Sequence, residues 1–84
     1  MINCAIIGFG KMGQIRYQEI LKNHNINIKY IYDPNLNNDK VKNINKKLII
    51  SDFKKIDFKS INTVFICSLN SQLFYYTKFF LHVF

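Results

Sequence analysis

The sequence predicts an α/β domain built on an incomplete, doubly wound parallel sheet of about four strands, in the order 3-2-1-4, with helices on both faces. Three observations lead to this prediction. The first is a short apolar run, residues 2–7, that ends at a glycine and is typical of a parallel strand covered on both sides. The second is a G-x-G-x-x-G turn over residues 8–13, which leads into helical periodicity. The third is Asp33, which follows the next apolar run, and together these features indicate a Rossmann-like arrangement.

The first half of the chain predicts a helix and a second strand. The helix begins at Lys11, where the apolar period changes, and should end near residues 23–25. Residues 26–32 alternate and then become apolar, which predicts a strand ended by the turn-forming residues 33–35. The buried stripe of the helix is expected to contain Met12, Ile15, Ile20 and Leu21.

The second half predicts weaker elements. Residues 36–47 are polar and predict a short, loosely held helix, because a crossover must return the chain to a parallel neighbour. Residues 48–51 predict a third strand at the edge of the sheet, and Asp52 is expected to cap a brief turn through residues 53–56. Residues 63–67 are β-branched or aromatic for most of their length and predict a fourth strand. A final aromatic helix should begin at Asn70 or Ser71.

Composition limits the class of protein. The chain has 84 residues and is 49% hydrophobic, which suffices for the core of one small domain. Its net charge of +7 comes from dispersed lysines, with Arg16 the only arginine, and this pattern argues against specific nucleic-acid binding. Cys4 and Cys67 lie in apolar runs without metal-ligand spacing, so we expect buried thiols and no metal site. No apolar run reaches the roughly 18 residues of a membrane span, so we expect a cytoplasmic protein without a membrane partner.

Each glycine of the turn has a distinct physical role. Gly8 would permit the sharp exit from the strand, Gly10 would let the backbone approach a pyrophosphate, and Gly13 would let helix and strand pack closely. The helix start near Lys11 presents unpaired N–H groups to an anion. Asp33 can accept both ribose hydroxyls and would repel a 2′-phosphate, which favours NAD over NADP. Ordinary turn chemistry also explains each feature taken alone, so the prediction rests on their order and spacing.

Three segments carry a family resemblance: residues 5–17, 31–35 and 64–71. In this order they resemble the amino-terminal cofactor domain of the Gfo/Idh/MocA oxidoreductases, which act on sugars and cyclitols with a nicotinamide cofactor. The resemblance implies an NAD site and assigns no catalytic residue to this chain. It implies a pyrophosphate turn of Gly8, Phe9, Gly10, Lys11, Met12 and Gly13, a ribose contact at Asp33, and a loop beside the nicotinamide ribose at Ser68, Leu69 and Asn70.

The chain also departs from that family. The family usually has Thr-Pro-Asn where this chain has residues 68–70, and a histidine where it has Leu73. Arg16 stands where another histidine is frequent. The family's Glu-Lys-Pro motif, whose lysine contributes to proton transfer, would follow a strand that resembles residues 82–84. We therefore expect residues 1–84 to be a partial dinucleotide-binding domain from a truncated product, without the substrate domain and without turnover alone.

Two alternative functions stay open at the level of sequence. One is a stand-alone nucleotide-binding or regulatory module that senses NAD without turnover. The other is a small basic interaction protein that uses its lysines and aromatic residues on an acidic partner or a single strand of nucleic acid. Under the truncation hypothesis, the fourth strand is an open apolar edge beside an uncovered C-terminal helix, and we expect self-association through both.

Overall fold

The computed structural model describes residues 1–36, 39, 41–42, 44–67 and 75–78. Its regular elements are β1 (Ile2–Ile7), α1 (Lys11–Leu21), β2 (Ile26–Tyr32) and β3 (Thr63–Ile66). Short 3₁₀ helices cover Lys46–Leu48, Phe53–Lys55 and Phe58–Ser60, and residues 75–78 are helical. The protein is therefore of mixed α/β class, as predicted.

The three strands form one parallel sheet in the order β2-β1-β3. This confirms the predicted first, second and fourth strands and their parallel direction. The predicted third strand, residues 48–51, is reduced to one parallel bridge between Ile49 and Ile31, with the Ile50 amide donating to the Ile31 carbonyl at 3.0 Å. The cause is local, because the Asn45 side chain accepts from the Lys47 amide at 3.0 Å and draws Leu48 into a 3₁₀ helix.

A β-bulge in β2 explains its mixed apolar pattern. The pairing with β1 runs from Cys4 opposite Ile28 to Ala5 opposite Tyr30, so that Lys29 is the extra residue. A bulge of this kind reverses which face the following side chains occupy. In a regular strand, residues three positions apart lie on opposite faces. Because of the bulge, Ile28 and Ile31 both face α1, whereas Tyr30 packs on the opposite face.

Side chains cover both faces of the sheet. We call the cluster on the face of the sheet that α1 covers the helix-side core. The cluster on the other face is the opposite-side core. The helix-side core contains Cys4, Ile6, Phe9, Tyr17, Ile20, Ile28 and Ile31. The opposite-side core contains Ala5, Ile7, Ile56, Ile61 and Tyr76. Four consecutive residues of β1 are buried because alternate side chains enter alternate cores, as expected for a central parallel strand.

Helix α1 begins at Lys11 as predicted, but it ends at Leu21, before the predicted residues 23–25, and it has a different buried stripe. The predicted stripe is wrong at three positions, since Met12, Ile15 and Leu21 are 55%, 42% and 56% exposed. The buried residues are Gly13, Tyr17 and Ile20, at i, i+4 and i+7. Close packing of Gly13 against the strand sets this rotation, and neither Gly13 nor Tyr17 belongs to the predicted apolar stripe.

The predicted helix over residues 36–47 is also wrong for the described residues of that segment. Residues 39, 41 and 42 form turns, and the 3₁₀ helix begins only at Lys46. The predicted turn after Asp52 is confirmed, because the Asp52 carboxylate accepts from the Lys54 amide at 2.9 Å and a 3₁₀ helix follows. The final helix is described only at residues 75–78, and its predicted start lies outside the described residues.

We predict that the helix-side core dominates the stability of the sheet. Ile31 is fully buried and contacts neighbours on both sides of β2, so Ile31→Ala should lower the free energy of unfolding by about 3 kcal/mol. Ile2→Ala is the matched control, since Ile2 is 41% exposed at the start of β1 and should cost less than about 1 kcal/mol. Urea unfolding followed by circular dichroism measures both values. Equal losses would contradict this assignment of the core.

Candidate functional site

The glycine turn and Asp33 lie at the same edge of the sheet. Parallel strands place their carboxyl ends together, and here β1 leads into Gly8 while β2 leads into Asp33. The Gly8 amide donates to the Tyr32 carbonyl at 2.6 Å, which continues the pairing of the two strands into the turn. In open parallel sheets this edge is where ligands bind.

The Asp33 carboxylate joins the turn directly. Its Oδ2 accepts a hydrogen bond from the Phe9 amide at 2.6 Å, and its Oδ1 accepts one from the Asn35 amide at 2.8 Å. Bonds from amides to an ionised acceptor are stronger than neutral ones. Asp33 therefore holds the glycine turn and the turn after β2 in a fixed relation to each other.

The three glycines occupy three different environments. Gly8 has a φ of 93°, a conformation that L side chains rarely adopt, so the predicted sharp exit from the strand is confirmed. A Cβ at position 13 would overlap the carbonyl oxygen of Gly8, so the predicted close packing is confirmed as well. A Cβ at position 10 would meet nothing within 4 Å, which leaves open space beside that backbone.

Phe9 anchors the turn from below. Its side chain is fully buried and meets the ring of Tyr17 edge-on, with the centroids 5.9 Å apart. Gln14 holds the main chain of Phe9, since its Nε2 donates to the Phe9 carbonyl oxygen at 3.3 Å. Sequence reasoning missed both supports, although Tyr17 lies four residues after Gly13, a spacing that places the two on one helical face.

The amino terminus of α1 faces this turn without a side-chain cap. Gly10 is the N-cap in an extended conformation and has no side chain to cap the helix, and the first turn contains no acidic residue. Lys11 and Met12, the first two helical residues, are exposed. Uncapped amides and the positive end of the helix dipole favour an anion at this position.

A tyrosine cluster lies beside Asp33. The ring of Tyr76 meets the ring of Tyr32 at 6.5 Å and the ring of Tyr75 at 5.4 Å, both edge-on. Burial raises the pKa of Tyr76 to about 12, with smaller contributions from its neighbours Tyr32, Asp33 and Tyr75. Tyr76 is 5% exposed and packs in the opposite-side core, whereas Tyr75 is 53% exposed.

Helix α1 also brings a positive charge towards the end of β3. The Arg16 guanidinium pairs with Glu19 at 3.0 Å and lies close enough to the Cys67 thiol to affect its pKa. Burial raises the pKa of the Cys67 thiol, and Arg16 partly opposes that rise. The Cys67 amide donates to the Ile7 carbonyl at 2.7 Å, so Cys67 lies next to the strand that enters the glycine turn. Both cysteines are free thiols, and burial raises the pKa of Cys4 to about 11.

The structure thus brings together residues 8–13 and Asp33, which are the predicted turn and the predicted carboxylate. Ser68, Leu69 and Asn70, predicted to complete the site, lie outside the described residues. Within the described ranges, no three His, Cys, Asp or Glu side chains group as metal ligands. No helix in those ranges has the length and apolar character needed to cross a membrane.

Comparison with known proteins adds no assignment. No protein-family model, no curated protein and no solved structure matches this chain. The function is therefore argued from the geometry of the site and from the order of its motifs.

We predict that Gly13 and Gly10 respond differently to the same substitution. Gly13→Ala places a methyl group against the Gly8 carbonyl, so strand and helix must separate, and the free energy of unfolding should fall by about 2 kcal/mol. Gly10→Ala has open space and a φ of −74°, so it should cost about 1 kcal/mol or less, mainly from the poorer N-cap. Chemical denaturation of both variants measures the difference, and a larger loss for Gly10→Ala would contradict the packing described here.

Proposed function

We propose that this chain binds a nicotinamide dinucleotide, NAD in preference to NADP, at the carboxyl edge of its sheet. The observation that carries the proposal is the hydrogen bond between the Phe9 amide and the Asp33 carboxylate. It brings a glycine turn at a helix start and an acidic strand end into one site. A diphosphate needs the first of these features and a ribose needs the second.

The diphosphate would lie against the start of α1. Gly10 offers backbone without a side chain, so the N-cap residue does not cap the amides of the first helical turn. The net charge of +7 adds a favourable long-range field for a dianionic group. These features support a phosphate-binding role for residues 8–13, and they do so through the main chain.

The adenosine ribose would lie against Asp33. An ionised carboxylate offers about four acceptor sites, so it can hold the Phe9 and Asn35 amides and also accept from ribose hydroxyls. The same negative charge would repel the 2′-phosphate of NADP. Specificity for NAD would thus come from the residue that also fixes the shape of the turn.

The link to a reaction comes from the resemblance to the Gfo/Idh/MocA oxidoreductases. On that basis we propose that the bound NAD belongs to a dehydrogenase of the sugar or cyclitol type, with Ser68, Leu69 and Asn70 beside the nicotinamide ribose. The site itself supports cofactor binding and assigns no catalytic residue. A regulatory module that senses NAD would use the same turn and the same carboxylate, so turnover with added polyols separates these two functions.

Calorimetric titration of the full chain with NAD and NADP tests the proposal. We expect saturable binding of NAD and at least about tenfold weaker binding of NADP, since one unfavourable charge contact is worth more than about 1 kcal/mol in a desolvated site. Gly10→Ala should keep its fold and weaken NAD binding, because a methyl group would stand between backbone and diphosphate. Absence of NAD binding by the folded wild-type chain would overturn the proposal.

The matched pair Asp33→Asn and Asp52→Asn tests the carboxylate. Both aspartates accept from the amide two residues further on, at 2.8 Å and 2.9 Å, so both substitutions perturb the same kind of turn. We expect Asp33→Asn to weaken NAD binding about tenfold and to narrow the preference for NAD over NADP, because a charge-assisted bond is lost. Asp52→Asn should leave both unchanged. Equal effects of the two substitutions would show that Asp33 acts only through turn stability.

A further inference from the structure

The tyrosine cluster beside Asp33 has one buried and one exposed member. Tyr76 is 5% exposed and belongs to the opposite-side core, whereas Tyr75 is 53% exposed. The two rings meet edge-on at 5.4 Å, and Tyr76 in turn meets Tyr32 at 6.5 Å. Two ring contacts therefore connect Tyr75, through Tyr76, to Tyr32. Tyr32 directly precedes Asp33, the carboxylate of the candidate site.

We propose that Tyr75 is the stacking platform for the adenine base of the nucleotide. This inference rests on the proposed function and adds a subsite to it. The platform would take a purine joined to the ribose that Asp33 holds, while the glycine turn holds the diphosphate. The ligand class is therefore an adenosine diphosphate derivative rather than a dinucleotide without a purine.

The chemistry of the nucleoside places the base beside the cluster. The adenine is joined to C1′ of the ribose, which is bonded to the carbon that carries the 2′-hydroxyl. When a carboxylate accepts from the ribose hydroxyls, the base therefore lies on the neighbouring part of the same sugar, close to that carboxylate. The ring of Tyr76 meets the rings of Tyr32 and Tyr75. Tyr32 is the last residue of β2, directly before Asp33, so the cluster lies at the carboxyl end of β2.

The support beneath Tyr75 favours this role over an incidental exposed ring. Tyr76 is fixed in the opposite-side core, where it packs with Ala5 and Ile7 of β1. A ring that rests on a buried neighbour loses little conformational entropy when a base stacks on it. Stacking of a base on an aromatic side chain is worth about 1–3 kcal/mol and needs no hydrogen-bond readout.

The experiment compares Tyr75→Ala, Tyr75→Phe and Leu21→Ala in the full chain. Leu21 is the matched control, since it is 56% exposed and is the last residue of α1, at the far end of the helix from the glycine turn. The probes are NAD, which carries adenine, and ribose 5-phosphate, which keeps the sugar and a phosphate but has no base. Calorimetry measures NAD affinity, and NMR titration measures the weaker binding of ribose 5-phosphate.

We expect Tyr75→Ala to weaken NAD binding about tenfold, with ribose 5-phosphate binding unchanged. Tyr75→Phe should retain NAD affinity because it keeps the ring, and Leu21→Ala should match the wild type. The adenine H2 and H8 resonances of NAD should shift upfield with the wild type and lose that shift with Tyr75→Ala, a signature that a purely structural role would not produce.

Three results would overturn the inference in distinguishable ways. If the wild type binds NAD and Tyr75→Ala binds it equally well, the platform is wrong and the proposed function stands. If the folded wild type does not bind NAD, the proposed function fails and the platform fails with it. A parallel loss of ribose 5-phosphate binding in Tyr75→Ala would assign Tyr75 to the shape of the site, and this too would overturn the stacking role.

Discussion

The bond between the Asp33 carboxylate and the Phe9 amide joins two segments that are 24 residues apart in the chain, at the edge where the strands end. This bond forms only when the Phe9 amide and the Asp33 carboxylate are both held in position. The side chain of Phe9 is held by the core and by Tyr17, and its carbonyl is held by Gln14, so its amide has a fixed direction. Because the acceptor is ionised and the bond is short, it fixes the turn more firmly than a neutral contact would.

The close approach of α1 to β1 is the second constraint. It needs a residue without a side chain at position 13, and it sets the rotation of the helix about its own axis. With that rotation, Tyr17 and Ile20 enter the helix-side core and Ile15 is left half in solvent. The same rotation directs Arg16 towards Cys67 at the end of β3. One small residue thus decides which face of an otherwise weakly amphipathic helix is buried.

The proposed function rests on what these constraints leave at the edge of the sheet. Gly10 leaves the start of α1 without a side-chain cap and has open space beside its backbone. Asp33 lies beside this turn, and the ring of Tyr75 rests against Tyr76 in the tyrosine cluster. An adenine dinucleotide has a group for each of these features: a diphosphate, a ribose and a purine. The proposal is specific because three chemically different parts of one ligand are matched by three neighbouring parts of one site.

Sequence alone determined the parts of the fold that depend on local pattern. β1, α1, β2 and β3 follow from apolar runs and turn residues that are contiguous in the chain, and the roles of Gly8 and Gly13 follow from their spacing. The tertiary structure decided the rest. The bulge at Lys29 assigns Ile31 and Tyr30 to opposite faces, and the side-chain cap from Asn45 reduces the predicted third strand to a bridge. The Asn45 cap is a local contact, whereas the bulge depends on pairing with a strand that only folding brings alongside. For the same reason no periodicity predicts that Asp33 bonds to Phe9, or that Tyr75 is exposed beside a buried Tyr76.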